Sequence, residues 1–153
     1  MSSGDELNPD FPVIEGRVEI TDEWAVAPPT PMNRRVEKDA RGRQSLVLWR
    51  PGLTAWITYL QYPTGRPRGD VVASMRRGGH SVPPEVVRDV DWGGLAGYWY
   101  PLDEPRESGS GAVHALQGFL AGTTTALIVA IYFDEIEDSA AAADLLRAFD
   151  CAE

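Results

Sequence analysis

From Ser45 to Leu60 the chain reads SLVLWR, a Pro-Gly pair, then LTAWITYL, so two strand-forming stretches flank a turn signal. Pro51 presets φ and Gly52 accepts positive φ, which suits the two central positions of a type II turn. A two-residue loop pairs Arg50 with Leu53, Trp49 with Thr54 and Val47 with Trp56. Ser45, Val47, Trp49, Thr54, Trp56 and Thr58 then share one face, while Leu46, Leu48, Leu53, Ala55, Ile57 and Tyr59 share the other. The aliphatic face is the expected core side. A four-residue loop keeps this parity, whereas a three- or five-residue loop separates the tryptophans.

Upstream, VEI and EWAV predict a strand with a bend, closed by Pro28, Pro29 and Pro31, and a short extended piece covers Arg34 to Glu37. Downstream, RPRGDVVASMRRGG predicts a short helix with Asp70 as N-cap, Arg76 and Arg77 near its end and Gly78 as its stop. Three strands follow in antiparallel succession, over Gly94 to Leu102, Ala112 to Leu120 and the run TALIVAIYF. Because ALIVAIYF is apolar on both faces, that strand is expected at the centre of the sheet with cover on both sides. Ala142, Leu145, Leu146 and Phe149 recur at helical spacing, which predicts an amphipathic helix on the sheet, capped by Asp138 or Ser139. Runs of strands with few helices give an α+β fold, an antiparallel β-sheet with a short middle helix and a C-terminal helix packed on it.

A chain of 153 residues suits one core. The expected layout is a flexible acidic segment over 1–12, with three acids, two prolines and no base, followed by a single domain over 13–153. The longest apolar run is well short of the roughly 20 residues a spanning helix needs, and no basic patch and apolar stretch mark a leader. A cytoplasmic setting without membrane association is the expectation. Thirteen arginines stand against the single Lys38, a bias that suits a GC-rich bacterial genome.

The net charge of −9 is unevenly spread. Residues 1–24 carry seven acids and one base, residues 25–88 four acids and eleven bases, and residues 89–153 twelve acids and two bases. Two strongly acidic thirds argue against nucleic acid as a partner. A protein partner that senses this polarity fits better, since complementary potentials orient association.

Candidate chemistry is sparse. His80 and His114 are the two histidines, and a small enzyme or small-molecule-binding protein with a histidine-containing pocket is the alternative they support. Cys151, the single cysteine, rules out an internal disulfide and reads as a small tail residue. The acids Asp134, Glu135, Glu137 and Asp138, and Asp103, Glu104 and Glu107, lack the ligand spacing of a calcium loop. No phosphate-binding glycine motif, metalloprotease helix or nucleophile elbow is present, so neither catalytic residue, metal nor cofactor is expected. Five tryptophans are many for this length. Tryptophan, tyrosine and arginine dominate binding hot spots, which makes Trp49, Arg50, Trp56, Trp92, Trp99 and Tyr100 the candidate partner-binding residues.

Trp24 after a first strand, the strand pair Leu46 to Leu60, a short helix, GLAGYWY, HALQGF, ALIVAIYF and a closing Ala/Leu helix form an order that resembles the PsbP-like family of small α/β/α domains. That family includes cytoplasmic adaptors for bacterial type VI secretion effectors. The similarity covers residues from about 17 to 150 and rests on element order and a few apolar positions. The segment RRGGHSVPPEVVRDVDWGG departs from the longer helix expected there, and no functional residue carries over. The resemblance implies a non-enzymatic domain that binds another protein. An immunity protein or adaptor for a secreted toxin or effector is therefore the expected class, with a homo-oligomer joined through the tryptophan face as a third reading.

Overall fold

The computed structural model describes residues 7–38, 40–62, 65–77, 84–105 and 112–151. Antiparallel sheet dominates, with two short helices, an α+β architecture. Eleven strands occur among the described residues: β1 (Val13–Ile14), β2 (Val18–Glu19), β3 (Trp24–Val26), β4 (Met32–Lys38), β5 (Gln44–Arg50), β6 (Leu53–Gln61), β7 (Arg88–Asp89), β8 (Ala96–Pro105), β9 (Ala112–Ala121), β10 (Thr125–Phe133) and β11 (Phe149–Cys151). Helix α1 spans Arg68–Arg77 and α2 spans Ser139–Leu146.

Eight strands form one sheet in the order β1-β4-β5-β6-β10-β9-β8-β7, and β11-β3-β2 form a smaller one. The doubly apolar β10 lies in the interior of the large sheet, between β6 and β9, but it is not covered on both sides as expected: Leu127, Val129 and Ile131 are buried, whereas Ile128, Ala130 and Tyr132 on the other face are half-buried. The turn at Pro51 and Gly52 has two residues, and Gly52 takes a φ of 81°. The register pairs Arg50 with Leu53, Trp49 with Thr54 and Val47 with Trp56. The Pro-Gly turn thus fixes the parity, and both tryptophans share a face.

The opposite face is the core. Leu48, Leu53, Ala55, Ile57, Leu127, Val129, Ile131, Leu116 and Leu120 lie on it and are buried. Two elements seal it. Helix α2 contributes Ala142, Leu145 and Leu146, and the smaller sheet contributes Trp24, Val26 and Phe149. A Cβ at Gly118 would lie 2.9 Å from Leu146 Cδ1, so the glycine lets α2 approach β9 closely. Trp24 is fully buried and its indole N–H donates to the Thr125 carbonyl at 2.8 Å. Helix α1 lies on the other face, where Val71 packs with Ala121 and Ala126, and Val72 and Met75 flank them.

Three expectations need correction. Asp70 lies in the first turn of α1 rather than at its cap, and the backbone N–H groups of Asp70 and Val71 are met by the Pro67 carbonyl. The closing helix ends at Leu146, so Phe149 is not helical. It lies in β11, where Phe149 pairs with Val26 and Cys151 with Trp24. Cys151 is therefore a buried strand residue and no loose tail; burial raises its thiol pKa, with Arg68 opposing. Gly78 and His80 lie outside the described residues.

Within the segment expected to be flexible, residues 1–6 also lie outside the described residues, but the following stretch is tied down. Asn33 is completely buried. Its amide nitrogen donates to the carbonyls of Asn8 (2.8 Å) and Phe11 (3.2 Å), and its oxygen accepts from the Asn8 N–H at 2.7 Å. One side chain thus satisfies several backbone groups of a segment without regular structure.

Candidate functional site

The face of the large sheet that carries Trp49 and Trp56 is the candidate binding surface. Registers across the strands set its rows. One runs Arg35, Val47, Trp56, Ala130, Gln117, Tyr100 over six consecutive strands. The next runs Asn33, Trp49, Thr54, Tyr132, Ala115, Leu102.

Arg35 organises the aromatic end of these rows. Its guanidinium carbon lies 4.9 Å from the Trp49 ring centroid and 5.6 Å from that of Trp56. Each contact is a cation–π attraction of about 0.5–1 kcal/mol at a site of this exposure. Glu37, two residues along the same strand, accepts from Arg35 Nε at 2.6 Å and holds the guanidinium in place. Phe11, delivered by the Asn33 anchor, meets Trp49 edge-on at 4.9 Å and 79°. Val47 is fully buried beneath the group, and Ser45 and Thr58 hydrogen-bond across the strands at 2.8 Å. Trp49 and Trp56 are half-buried, as are Thr54, Ile128 and Tyr132 around them. The result is a partly open patch of aromatic rings and one arginine, bordered by hydroxyls.

The far end of this face differs. Tyr98 and Phe119 stack at 4.8 Å, and Arg76 of α1 lies over the Tyr98 ring at 5.1 Å. Arg76 also makes an ion pair with Asp89 on β7. Tyr98 and Tyr100 are buried, and burial raises both phenol pKa values. Tyr100 is three strand spacings from Trp56, about 14 Å.

The six candidate residues do not form one surface. Trp49 and Trp56 share the patch, and Tyr100 lies buried on the same face. Arg50 points to the opposite face at the end of β5, beside a cavity of about 100 Å³ lined also by Pro29, Met32, Leu53, Asp144 and Leu145. Its Nε is buried without a hydrogen-bond partner among the described residues. Trp99 is half-buried against the main core, and so is Trp92, with the Arg147 guanidinium 5.9 Å over its ring. Sequence reasoning missed Arg35, Phe11 and Asn33. For Arg35 a signal existed, since it falls on the register row of Val47 and Trp56, but only the strand pairing reveals it.

His114 sits at the end of β9 with Nδ1 2.8 Å from Asp103 Oδ1 and its ring stacked 5.5 Å from Phe133. Among the described residues no three His, Cys, Asp or Glu side chains converge on a metal position. No described helix is long and apolar enough to cross a membrane.

No family model matches the chain, and no curated protein matches it. A crystal structure at 1.50 Å of a protein from Bacteroides thetaiotaomicron VPI-5482 is similar, with a TM-score of 0.64 and 12% identity. The match covers 92% of this chain and 50% of the other, so this chain spans half the length of that protein. At this identity the likeness establishes a shared fold.

Proposed function

We propose that the protein is a non-catalytic, protein-binding module and that the patch of Phe11, Trp49, Trp56 and Arg35 is its contact surface. The observation that carries the reading is the pre-ordered stack of Arg35 on both indoles, on the face that α2 and the smaller sheet leave uncovered. Rigid aromatic anchors lose little entropy on binding, and arginine with tryptophan is the composition of binding hot spots. An immunity protein or an adaptor for a secreted toxin or effector, working in the bacterial cytoplasm, is the form of this function we put forward. The alternative, an enzyme with a histidine pocket, draws less support. His114 bonds to Asp103 and stacks on Phe133, and it does not line the Arg50 cavity.

The test is capture from the source organism by the wild-type chain and by Trp56→Ala and Arg35→Ala, each checked for an unchanged fold by circular dichroism. The reading predicts a protein retained by the wild type at least about tenfold more tightly than by either variant. Equal retention by all three contradicts it.

A further inference from the structure

We infer that the outer edge of β2 is a second recognition site, which accepts an extended segment of another protein as an added strand. The inference goes beyond the tryptophan patch and stands on a different surface. Val18 pairs with Val26 and Glu19 with Ala25, and the Ile20 N–H donates to the Trp24 carbonyl. In an antiparallel pair hydrogen-bonded and non-hydrogen-bonded residues alternate, so Ile20 and Val18 bond towards β3. The backbone N–H and C=O of Glu19 therefore point away from β3, and β2 is the edge of its sheet.

Those outward groups overlook a cavity of about 220 Å³ between the two sheets. Its wall is Val18 to Ile20, and its floor is Arg34, Val36, Leu46 and Tyr59 of the large sheet. Among the described residues the smaller sheet stops at β2, and beyond it Val36 is 62% exposed on the face that is elsewhere the sealed core. A strand added to β2 would bond to Glu19 and set alternate side chains on Val36, Leu46 and Tyr59, continuing the layer that Trp24 and Val26 begin. Main-chain bonding to an edge with side-chain pockets below is how strand addition combines affinity with specificity.

Charge selects the occupant. Arg34 lines the cavity, and Lys38 is on the same face of β4, two positions beyond Val36. Neither makes an ion pair among the described residues. The exposed Glu19 side chain projects from the outer face of the smaller sheet, because its neighbours Val18 and Ile20 pack inward. The occupant is therefore an extended peptide segment that alternates apolar and acidic side chains.

A phage-displayed library of linear peptides tests this. Selection on the full chain is expected to enrich sequences that alternate apolar residues with Asp or Glu. The best peptide, labelled and followed by fluorescence anisotropy, should bind Glu19→Pro, Val36→Asp and Arg34→Glu at least about tenfold more weakly than wild type. Glu19→Pro removes only an outward N–H, a substitution that edge strands tolerate, and the exposed Val36 supplies a second variant independent of the backbone. Trp56→Ala should bind the peptide as wild type does, which separates this site from the tryptophan patch. Exchange of the Glu19 amide should slow on binding. Failure to enrich any linear peptide, undiminished binding to Glu19→Pro and Val36→Asp, or light scattering that shows a second copy of the chain on this edge would each overturn the inference.

Discussion

At the scale of single residues, Glu23 holds the two sheets together. Its carboxylate accepts from the backbone N–H groups of Thr123 (2.8 Å), Thr124 (3.1 Å) and Thr125 (2.8 Å) and from the Thr123 hydroxyl (2.6 Å). These residues form the turn between β9 and β10, about a hundred positions away. Gly122 makes room, since a Cβ there would lie 2.1 Å from Glu23 Oε1. Burial alone would raise the carboxyl pKa, but the hydrogen bonds from Thr123, Thr124 and Thr125 outweigh it and hold the group below its ordinary 4.5. A depressed folded-state pKa adds stability above the unfolded value, and that contribution is lost as pH falls through the folded value. Glu23→Gln should therefore melt several degrees below wild type near neutral pH, and the difference should narrow on acidification from about pH 4.5 downward. Thermal melts of both proteins across that range measure it, and a gap independent of pH would assign the effect to packing. Arg35 gives a second test at this scale. Removing it frees both indole faces, so Arg35→Ala should shift tryptophan fluorescence and cost about 1 kcal/mol in urea unfolding.

Among the elements, the β5–β6 hairpin was the most legible in the sequence, for a physical reason. Pro51 and Gly52 determine the turn locally, and a two-residue loop leaves one register that buries Leu48, Ala55 and Ile57 together. Gly52→Ala forces a side chain into positive φ, with its Cβ 3.3 Å from Asp138 Oδ2, and should destabilise by about 1–2 kcal/mol. Urea titration reads this directly. The end of α2 was not legible. Ala142, Leu145, Leu146 and Phe149 fit helical spacing, yet the chain turns at Arg147 and Ala148, and Phe149 pairs with Val26 far away in sequence. Strands of two or three residues such as β2, β3 and β11 are too short for alternation to show, so the smaller sheet emerges only from tertiary pairing. Leu146 joins α2 to Gly118, and Leu146→Ala should cost about 2–5 kcal/mol by the same measurement.

For the whole molecule, the two faces of the large sheet have different roles. One is sealed by α2 and the smaller sheet, and the other keeps Trp49, Trp56 and Arg35 at the surface beyond the reach of α1. The sequence placed the tryptophans together only for a loop of even length, and the face that the closing helix covers depends on how distant segments pack. The outer strands β1 and β7 have two residues each, and among the described residues they pair with only part of β4 and β8. The difference between the faces is the central claim, and it can be measured in the native chain. With 5-fluorotryptophan in all five positions, each resonance assigned by a single Trp→Phe substitution, a neutral gadolinium chelate broadens fluorine signals according to solvent proximity. Trp49 and Trp56 should broaden steeply with chelate concentration while Trp24, 1% exposed, stays sharp. Equal protection of all three would make the tryptophan face part of the interior and contradict the account.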